Sequence, residues 1–338
     1  MIAGEFAVVG AAGPLTFFDN VAPAALSHGY LFTGPAGVGK KTFALRLAQS
    51  LLCVTPKPGL LGYCGHCTGC TRVVARTHPD LYVAEGQIKI GDRDGSGFHE
   101  SEEVSARDLV RQLSLHSYAG GKRVFILGDA DFTREAANAL LKFFEEPPED
   151  VLLLITTAQP GRLIATIRSR LIDVTFGRLT DAEISGVLCA AGASPEAAER
   201  AAAIGNGSLS RAKDYLDQGE GGTRDAAVGW FFAAVRGRES DHSGWATRAT
   251  LEDGLDTIKT LTRDWLVLHV AGPHAPLLAR DQTAELERLP RRDPVALARV
   301  LAAIGDAERI ARTNVTPALV AGLVRMALAS TDHVRVRT

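Results

Sequence analysis

The sequence is short of several things, and each shortage removes a class of protein. Aromatic residues make up only 6% of 338 positions, and they are not interleaved with basic residues into the stripe that single-stranded nucleic acid stacks on. Positive charge is not in excess. Lys and Arg number 37 against 39 Asp and Glu, a net charge of −2, which argues against a chain whose main task is coating nucleic acid. Long apolar runs are missing as well. Val151-Leu152-Leu153-Leu154-Ile155 is typical of the longest, well below the ~18 residues a membrane helix needs. The N-terminal stretch carries Glu5 and no basic segment, unlike a secretory signal, so no membrane association and a cytoplasmic location are expected. Cysteine is scarce and unevenly spread, with four between Cys53 and Cys70 and Cys189 alone. In a reducing compartment such a cluster points to a metal before it points to disulfides.

What is present is a globular composition, 46% apolar and 22% charged, in a chain long enough for about two domains or three small ones. Up to residue 175, apolar strand-like runs alternate with helical patterns. Gly29–Thr33, Arg123–Leu127 and Val151–Thr156 are the runs; Lys41–Leu52 and Thr133–Glu146 are helical, the second stopped by Pro147-Pro148. That alternation predicts an α/β domain with a parallel sheet. Glu85–Glu103, with Gly86, Gly91, Gly95 and Gly97, predicts a hairpin and a mobile loop, and Ser105 predicts a helix cap.

Beyond Phe176 the texture turns helical. Thr180-Asp181-Ala182-Glu183 has the capping-box pattern, Ser194-Pro195 opens another helix, and Gly205-Asn206-Gly207-Ser208 reads as a turn before a third. These predict a small helical domain over 176–220, closed by a linker at Gly219-Glu220-Gly221-Gly222. Residues 221–338 read as all-helical: Leu251, Leu255, Ile258 and Trp265 share a helix face, and Thr316-Pro317 caps the last helix. Cys189 is expected to be a buried small hydrophobe.

Gly34-Pro35-Ala36-Gly37-Val38-Gly39-Lys40 fits the phosphate-loop pattern G-x-x-x-x-G-K, after a strand and before a helix. Its glycines let backbone N–H groups turn toward phosphates, and Lys40 adds a point charge. Here too the informative feature is a lack. The next position should carry the hydroxyl that holds Mg²⁺, but it is Lys41, with Thr42 one place late and turned by roughly 100° on the helix. The second metal-holding element should be a strand ending in carboxylates. On Val124-Phe125-Ile126-Leu127-Gly128-Asp129, Gly128 stands where the coordinating Asp belongs, and Asp129 replaces a water-activating Glu. Autonomous ATP hydrolysis is therefore not expected, while Gly34, Gly37, Gly39 and Lys40 leave binding of ATP or ADP open.

Cys64-Gly65-His66-Cys67-Thr68-Gly69-Cys70, with Cys53 upstream, has the spacing of a knuckle that bends thiolates around one zinc ion. Four thiolates leave no position for a substrate water, so the site is expected to be structural; His66 is an alternative ligand. Thr166-Ile167-Arg168-Ser169-Arg170-Leu171 follows the strand at 151–156. An arginine there either pairs with a carboxylate of its own chain or, in an oligomer, reaches a neighbour's γ-phosphate.

Together these residues resemble the delta-prime family of bacterial DNA polymerase III clamp-loader subunits. The segments that carry the resemblance are His28–Pro35, the Cys64–Cys70 knuckle, Thr77-His78-Pro79-Asp80-Leu81, Ala136–Pro148 (AANALLKFFEEPP) and Thr166–Arg170. The family implies an AAA+ fold: an α/β P-loop domain over 1–175 with an inserted zinc module (53–70), a helical lid over 176–220, and an all-α collar over 221–338. It implies a circular assembly with gamma or tau and delta subunits that loads the sliding clamp onto primed DNA, with this chain as a non-hydrolysing stator. Ser169 and Arg170 match the family's Ser-Arg-Cys motif, Leu171 replacing Cys, and Arg170 would be the arginine finger donated in trans. Arg211, in Gly207-Ser208-Leu209-Ser210-Arg211, resembles the lid's sensor arginine, so a nucleotide would meet Gly34, Gly37, Gly39, Lys40, Lys41, Thr42 and Arg211. The gamma/tau motors are the nearest alternative, but that family keeps the hydroxyl, the acidic pair and a long C-terminal tail. A free-standing zinc-containing nucleic-acid-binding protein is the alternative from another class.

Overall fold

The alternating apolar runs become the strands of one parallel sheet. A computed structural model describes residues 8–22, 25–89, 103–118, 120–218, 222–311, 313 and 315–329, and the chain divides into two compact units, Met1–Glu183 and Ile184–Thr338.

The first unit holds β1 (Gly29–Thr33), β2 (Leu81–Lys89), β3 (Glu103–Ser105), β4 (Arg123–Phe132), β5 (Val151–Thr157) and β6 (Ile172–Thr175) in the order β3-β2-β4-β5-β1-β6. Every neighbouring pair is parallel. β1 and β5 are buried along their whole length, which is why they read as unbroken apolar runs and not as alternating ones. The pleat sends successive side chains to opposite faces. Tyr30, Phe32, Val124, Ile126, Leu152 and Leu154 enter one core, with Phe43 and Leu47 of α2 (Lys40–Leu51) and Phe18 of α1 (Ala12–Asp19). Leu31, Phe125, Leu127, Leu153 and Ile155 enter the other core. There they meet Leu109 and Leu113 of α4 (Ala106–Leu113), Leu140 and Phe144 of α5 (Arg134–Glu145) and Ile167 of α6 (Ala165–Arg168). The short helix α3 (Thr68–Val74) follows the cysteine knuckle.

The caps read from the sequence are in place. Ser105 Oγ accepts from the Asp108 N–H and Thr133 Oγ1 from the Ala136 N–H. At the head of α7 (Asp181–Ala190), Thr180 and Glu183 cap each other reciprocally. Each such cap stabilises its helix by about 1 kcal/mol. Where Glu85–Glu103 predicts a hairpin, the described ends of that stretch do not pair as one. β2 and β3 pair parallel, Gln87 with Glu103 through Lys89 with Ser105, and a tight turn can join only antiparallel neighbours. Residues 90–102, where the mobile loop was expected, lie outside the described residues.

The second unit is helical: α8 (Pro195–Gly205), α9 (Leu209–Gln218), α10 (Thr223–Val235), α11 (Leu251–Ala271), α12 (Thr283–Glu287), α13 (Pro294–Ala311) and α14 (Pro317–Ala329) follow α7. Of the expected linker, residues 219–221 lie outside the described residues. Trp230, Trp245 and Trp265 are fully buried and centre the core, joined by Leu251, Leu255 and Ile258 on one face of α11. Gly254 is required there, because a Cβ would lie 2.4 Å from the Trp245 ring. Asp264, completely buried, accepts the N–H groups of Leu278 and Ala279 at 2.7 and 2.6 Å and pairs with Arg263. Cys189 is exposed, contrary to expectation. α7 buries Ile184 and Leu188, and the next residue is turned about 100° away from that face. No helix among the described residues is long and apolar enough to cross a membrane.

Candidate functional site

The phosphate loop leaves the end of β1 and runs into α2. Gly34, Gly37 and Gly39 have φ of 141°, 74° and 92°, values that favour glycine. Gly34 is also needed for space, since a Cβ would lie 2.3 Å from the Phe176 carbonyl oxygen. Lys40 is buried, and its Nζ donates to the carbonyls of Gly34 and Pro35 at 2.8 and 2.7 Å. Burial pulls its pKa below the usual lysine range, with the Asp129 carboxylate acting in the opposite sense. Thr42 is half-buried on the first turn of α2.

Lys41 forms an ion pair with Glu85, midway along β2. Glu85 and Gly128 are register partners on β2 and β4. A Cβ at Gly128 would lie 2.9 Å from Glu85 Cγ, so the Glu85 side chain takes up space that a side chain at 128 would need. Asp129 has φ of 43°, and its N–H donates to Thr156 Oγ1 at 3.1 Å. Sequence reasoning missed Glu85, because it opens the glycine-rich stretch with the weakest structural signal.

Cys53 sits just past the C-terminal end of α2, and Cys67 caps α3, its sulfur accepting from the Cys70 N–H. The Cys53, Cys64, Cys67 and Cys70 sulfurs all lie within 4.8 Å of one another. Cys53 to Cys67 and Cys64 to Cys70 are each 3.8 Å. A tetrahedron with metal–sulfur bonds of about 2.3 Å has edges of about 3.8 Å, so the geometry fits one four-coordinate ion. The Cys64, Cys67 and Cys70 N–H groups donate to the sulfurs of Cys53, Cys64 and Cys67, each at 3.4 Å. Such bonds fix ligand orientation around a metal. The Thr55 hydroxyl and the His66 N–H hold the Cys64 thiol down at about 5, whereas burial pushes Cys70 up. Thiolates packed this closely need a cation to ionise together. His66 is exposed and its Nδ1 lies 3.1 Å from the Cys64 carbonyl, outside the sulfur set.

The knuckle is held from the phosphate-loop helix. Arg46 of α2 donates to the Leu61 carbonyl and the Tyr63 hydroxyl and stacks on the Tyr63 ring, and Ser50 donates to the Gly62 carbonyl. Gly69 lets α3 approach, since a Cβ there would lie 2.1 Å from the Leu52 carbonyl oxygen.

Arg170 lies between α6 and the edge strand β6. One guanidinium nitrogen donates to the Thr166 carbonyl at 2.7 Å and the other to Glu145 at 2.6 Å. Its side chain is 32% exposed, so the pair contributes less than about 1 kcal/mol and exchanges readily. Glu145 lies in the FFEEPP stretch, so two segments that carry the family resemblance meet at this ion pair. Ser169 is exposed, and its hydroxyl donates to the Thr166 carbonyl. In the second unit, Arg211 pairs with Asp256 at 2.6 Å.

A glycine-rich loop between a central parallel strand and a helix, on a β3-β2-β4-β5-β1-β6 sheet and followed by a helical region, defines an AAA+ type P-loop α/β protein. Within that class the comparisons find similarity to DNA polymerase III subunits over part of the chain. Residues 16–180 match the family model described as DNA polymerase III, delta subunit. The chain is 39% identical over 152 residues to the DNA polymerase III subunit delta′ of Pseudomonas aeruginosa, covering 44% of this chain and 42% of that one. It is 33% identical over 190 residues to the delta′ subunit of Bacillus subtilis, covering 56% and 54%. A gamma/tau subunit from Mycobacterium bovis is 34% identical over 149 residues, covering 43% of this chain and 23% of that one. The chain thus spans about half, or less, of the length of the curated relatives it matches. The resemblance to delta′ clamp-loader subunits holds over the N-terminal half, where the phosphate loop, the knuckle and Arg170 lie.

Proposed function

We propose that this chain is the stator subunit of a DNA polymerase III clamp loader, working by presenting groups to its neighbours and not by hydrolysing ATP. One observation carries the reading. Both side chains that would hold Mg²⁺ are replaced, the hydroxyl by Lys41 and the strand carboxylate by Gly128, and Lys41 and Glu85 are paired with each other. A nucleotide would be held by Gly34, Gly37, Gly39, Lys40, Lys41 and Thr42, with Arg211 as a lid sensor, and would order the loop without turnover. Cys53, Cys64, Cys67 and Cys70 would hold a structural zinc ion. The ion ties the knuckle to the end of α2 and leaves no position for a reacting water.

Arg170 is the finger in this reading, with Ser169 beside it. A guanidinium held by one exposed carboxylate can exchange Glu145 for a neighbour's γ-phosphate, where it stabilises transition-state charge. Gamma or tau and delta subunits would be the partners, the sliding clamp and primed DNA would be reached through the assembly, and the compartment would be the cytoplasm. The division into a 1–175 P-loop domain, a 176–220 lid and a 221–338 collar belongs to the same proposal. The collar's last helix presents Leu319, Leu323 and Met326 to solvent at 63%, 42% and 62% exposure, spaced along one face as an oligomerising helix requires.

The test is reconstitution with gamma or tau and delta. Arg170→Ala is expected to leave folding and assembly intact and to lower the DNA-stimulated ATPase of the assembled loader sharply. Unchanged assembled activity would remove the finger role. Stable assembly failing with the wild-type chain would remove the subunit assignment.

A further inference from the structure

The residues at the two metal-holding positions of the phosphate-loop pattern are both replaced, and Glu85 links the replacements. In a metal-using loop the residue after the lysine offers a hydroxyl and a neighbouring strand offers a carboxylate, with a divalent cation between them and the phosphates. Here that residue is Lys41, whose chain ends in a cation. The strand position is Gly128, which offers no ligand but leaves room. The room is used by Glu85 of β2, whose Cγ sits 2.9 Å from where a Cβ at 128 would be, and the Glu85 carboxylate pairs with the Lys41 ammonium. A cation and its carboxylate are therefore both present, the cation covalently attached and the carboxylate moved over by one strand. The Lys41 and Glu85 side chains are 32% and 51% exposed, so the ammonium is not sealed away from a ligand. Lys40 lies on the loop carbonyls of Gly34 and Pro35, a second ammonium beside the same glycine turns.

We infer that this loop is a metal-independent site for the polyphosphate of a nucleotide, with the Lys41 ammonium, which Glu85 holds until a phosphate displaces it, in the electrostatic place of Mg²⁺. A monovalent ammonium offsets part of the charge of a polyphosphate but does not coordinate and polarise an attacking water as a divalent ion does. The same substitution thus keeps binding and drops hydrolysis. This rests on residues 34–40 being a phosphate site; the subunit assignment is separate and would show its own failure as lack of assembly.

The experiment is equilibrium binding of ADP to the full chain, measured in Mg²⁺ buffer and again with excess EDTA. Dissociation constants within about twofold of each other are expected in the two buffers. Lys41→Ala should weaken ADP roughly tenfold or more in both, the scale of one lost charge-assisted hydrogen bond. Glu85→Gln, which frees the ammonium from its carboxylate while keeping the side chain's shape, should tighten ADP severalfold. Circular dichroism would establish that both variants are folded. Wild-type binding that falls tenfold or more without Mg²⁺, binding that Lys41→Ala leaves unchanged in folded protein, or no ADP binding at millimolar concentration in either buffer would each overturn the inference.

Discussion

The phosphate loop and the cysteine knuckle share α2, yet they solve the problem of local charge in opposite ways. In the loop every cation already faces an acceptor from the same chain: Lys40 on two carbonyls, Lys41 on Glu85. In the knuckle four sulfurs converge within 4.8 Å, three of them collecting backbone N–H donors, and the cysteines bring no cation of their own. One site has taken its cation into the sequence and the other is built to recruit one. On the proposed reading, a metal in this molecule serves the architecture and not the nucleotide chemistry.

The largest test of that contrast is to remove the knuckle's recruiting power. Cys67→Ala deletes a ligand and the cap of α3 together, and metal content measured by atomic absorption should fall from about one zinc per chain to near zero. Structural zinc binding is worth about 10–16 kcal/mol in small modules, so the segment around residues 53–74 should become the first site of proteolytic cleavage. Equal metal content in variant and wild type would remove the assignment. A smaller effect, and a direct attempt to make the loop behave like the knuckle, is the double change Lys41→Thr with Gly128→Asp. It returns a hydroxyl and a carboxylate and withdraws the built-in cation. ADP binding should then become Mg²⁺-dependent by about tenfold or more; binding that stays indifferent to EDTA would mean that Lys41 is not the substitute. The smallest is a control in the helical unit. Gly254→Ala should cost about 1–3 kcal/mol through overpacking against Trp245, lowering Tm by a few degrees. Zinc content and ADP affinity should not move, and a change in either would show that the sites respond to stability in general.

Much of this contrast is legible in the residues. The loop glycines, the knuckle spacing and the missing hydroxyl and carboxylate are local patterns, and local patterns survive without knowledge of the fold. Central strands β1 and β5 announce themselves because burial on both faces leaves no alternation to obscure. The partners of the two charged residues are not legible. Glu85 meets Lys41 only once the sheet brings β2 to the first turn of α2, and Glu145 reaches Arg170 across 25 positions of sequence. The parallel pairing of β2 with β3 is not legible either, because a glycine-rich stretch suggests a tight turn while strand direction is settled by the sheet. Cys189 was misplaced for a simpler reason: an apolar-looking helix buries only the face that meets the core, and Cys189 is one residue off it.

The measurement that tests the account most directly is steady-state ATP hydrolysis by the purified chain alone, with Mg²⁺ and primed DNA. No turnover above background is expected, with activity appearing only at sites that Arg170 completes on other subunits. Robust turnover that Lys40→Ala abolishes would contradict it, since a loop whose cation is a lysine has no means of activating water, and the chain would have to be read as a motor.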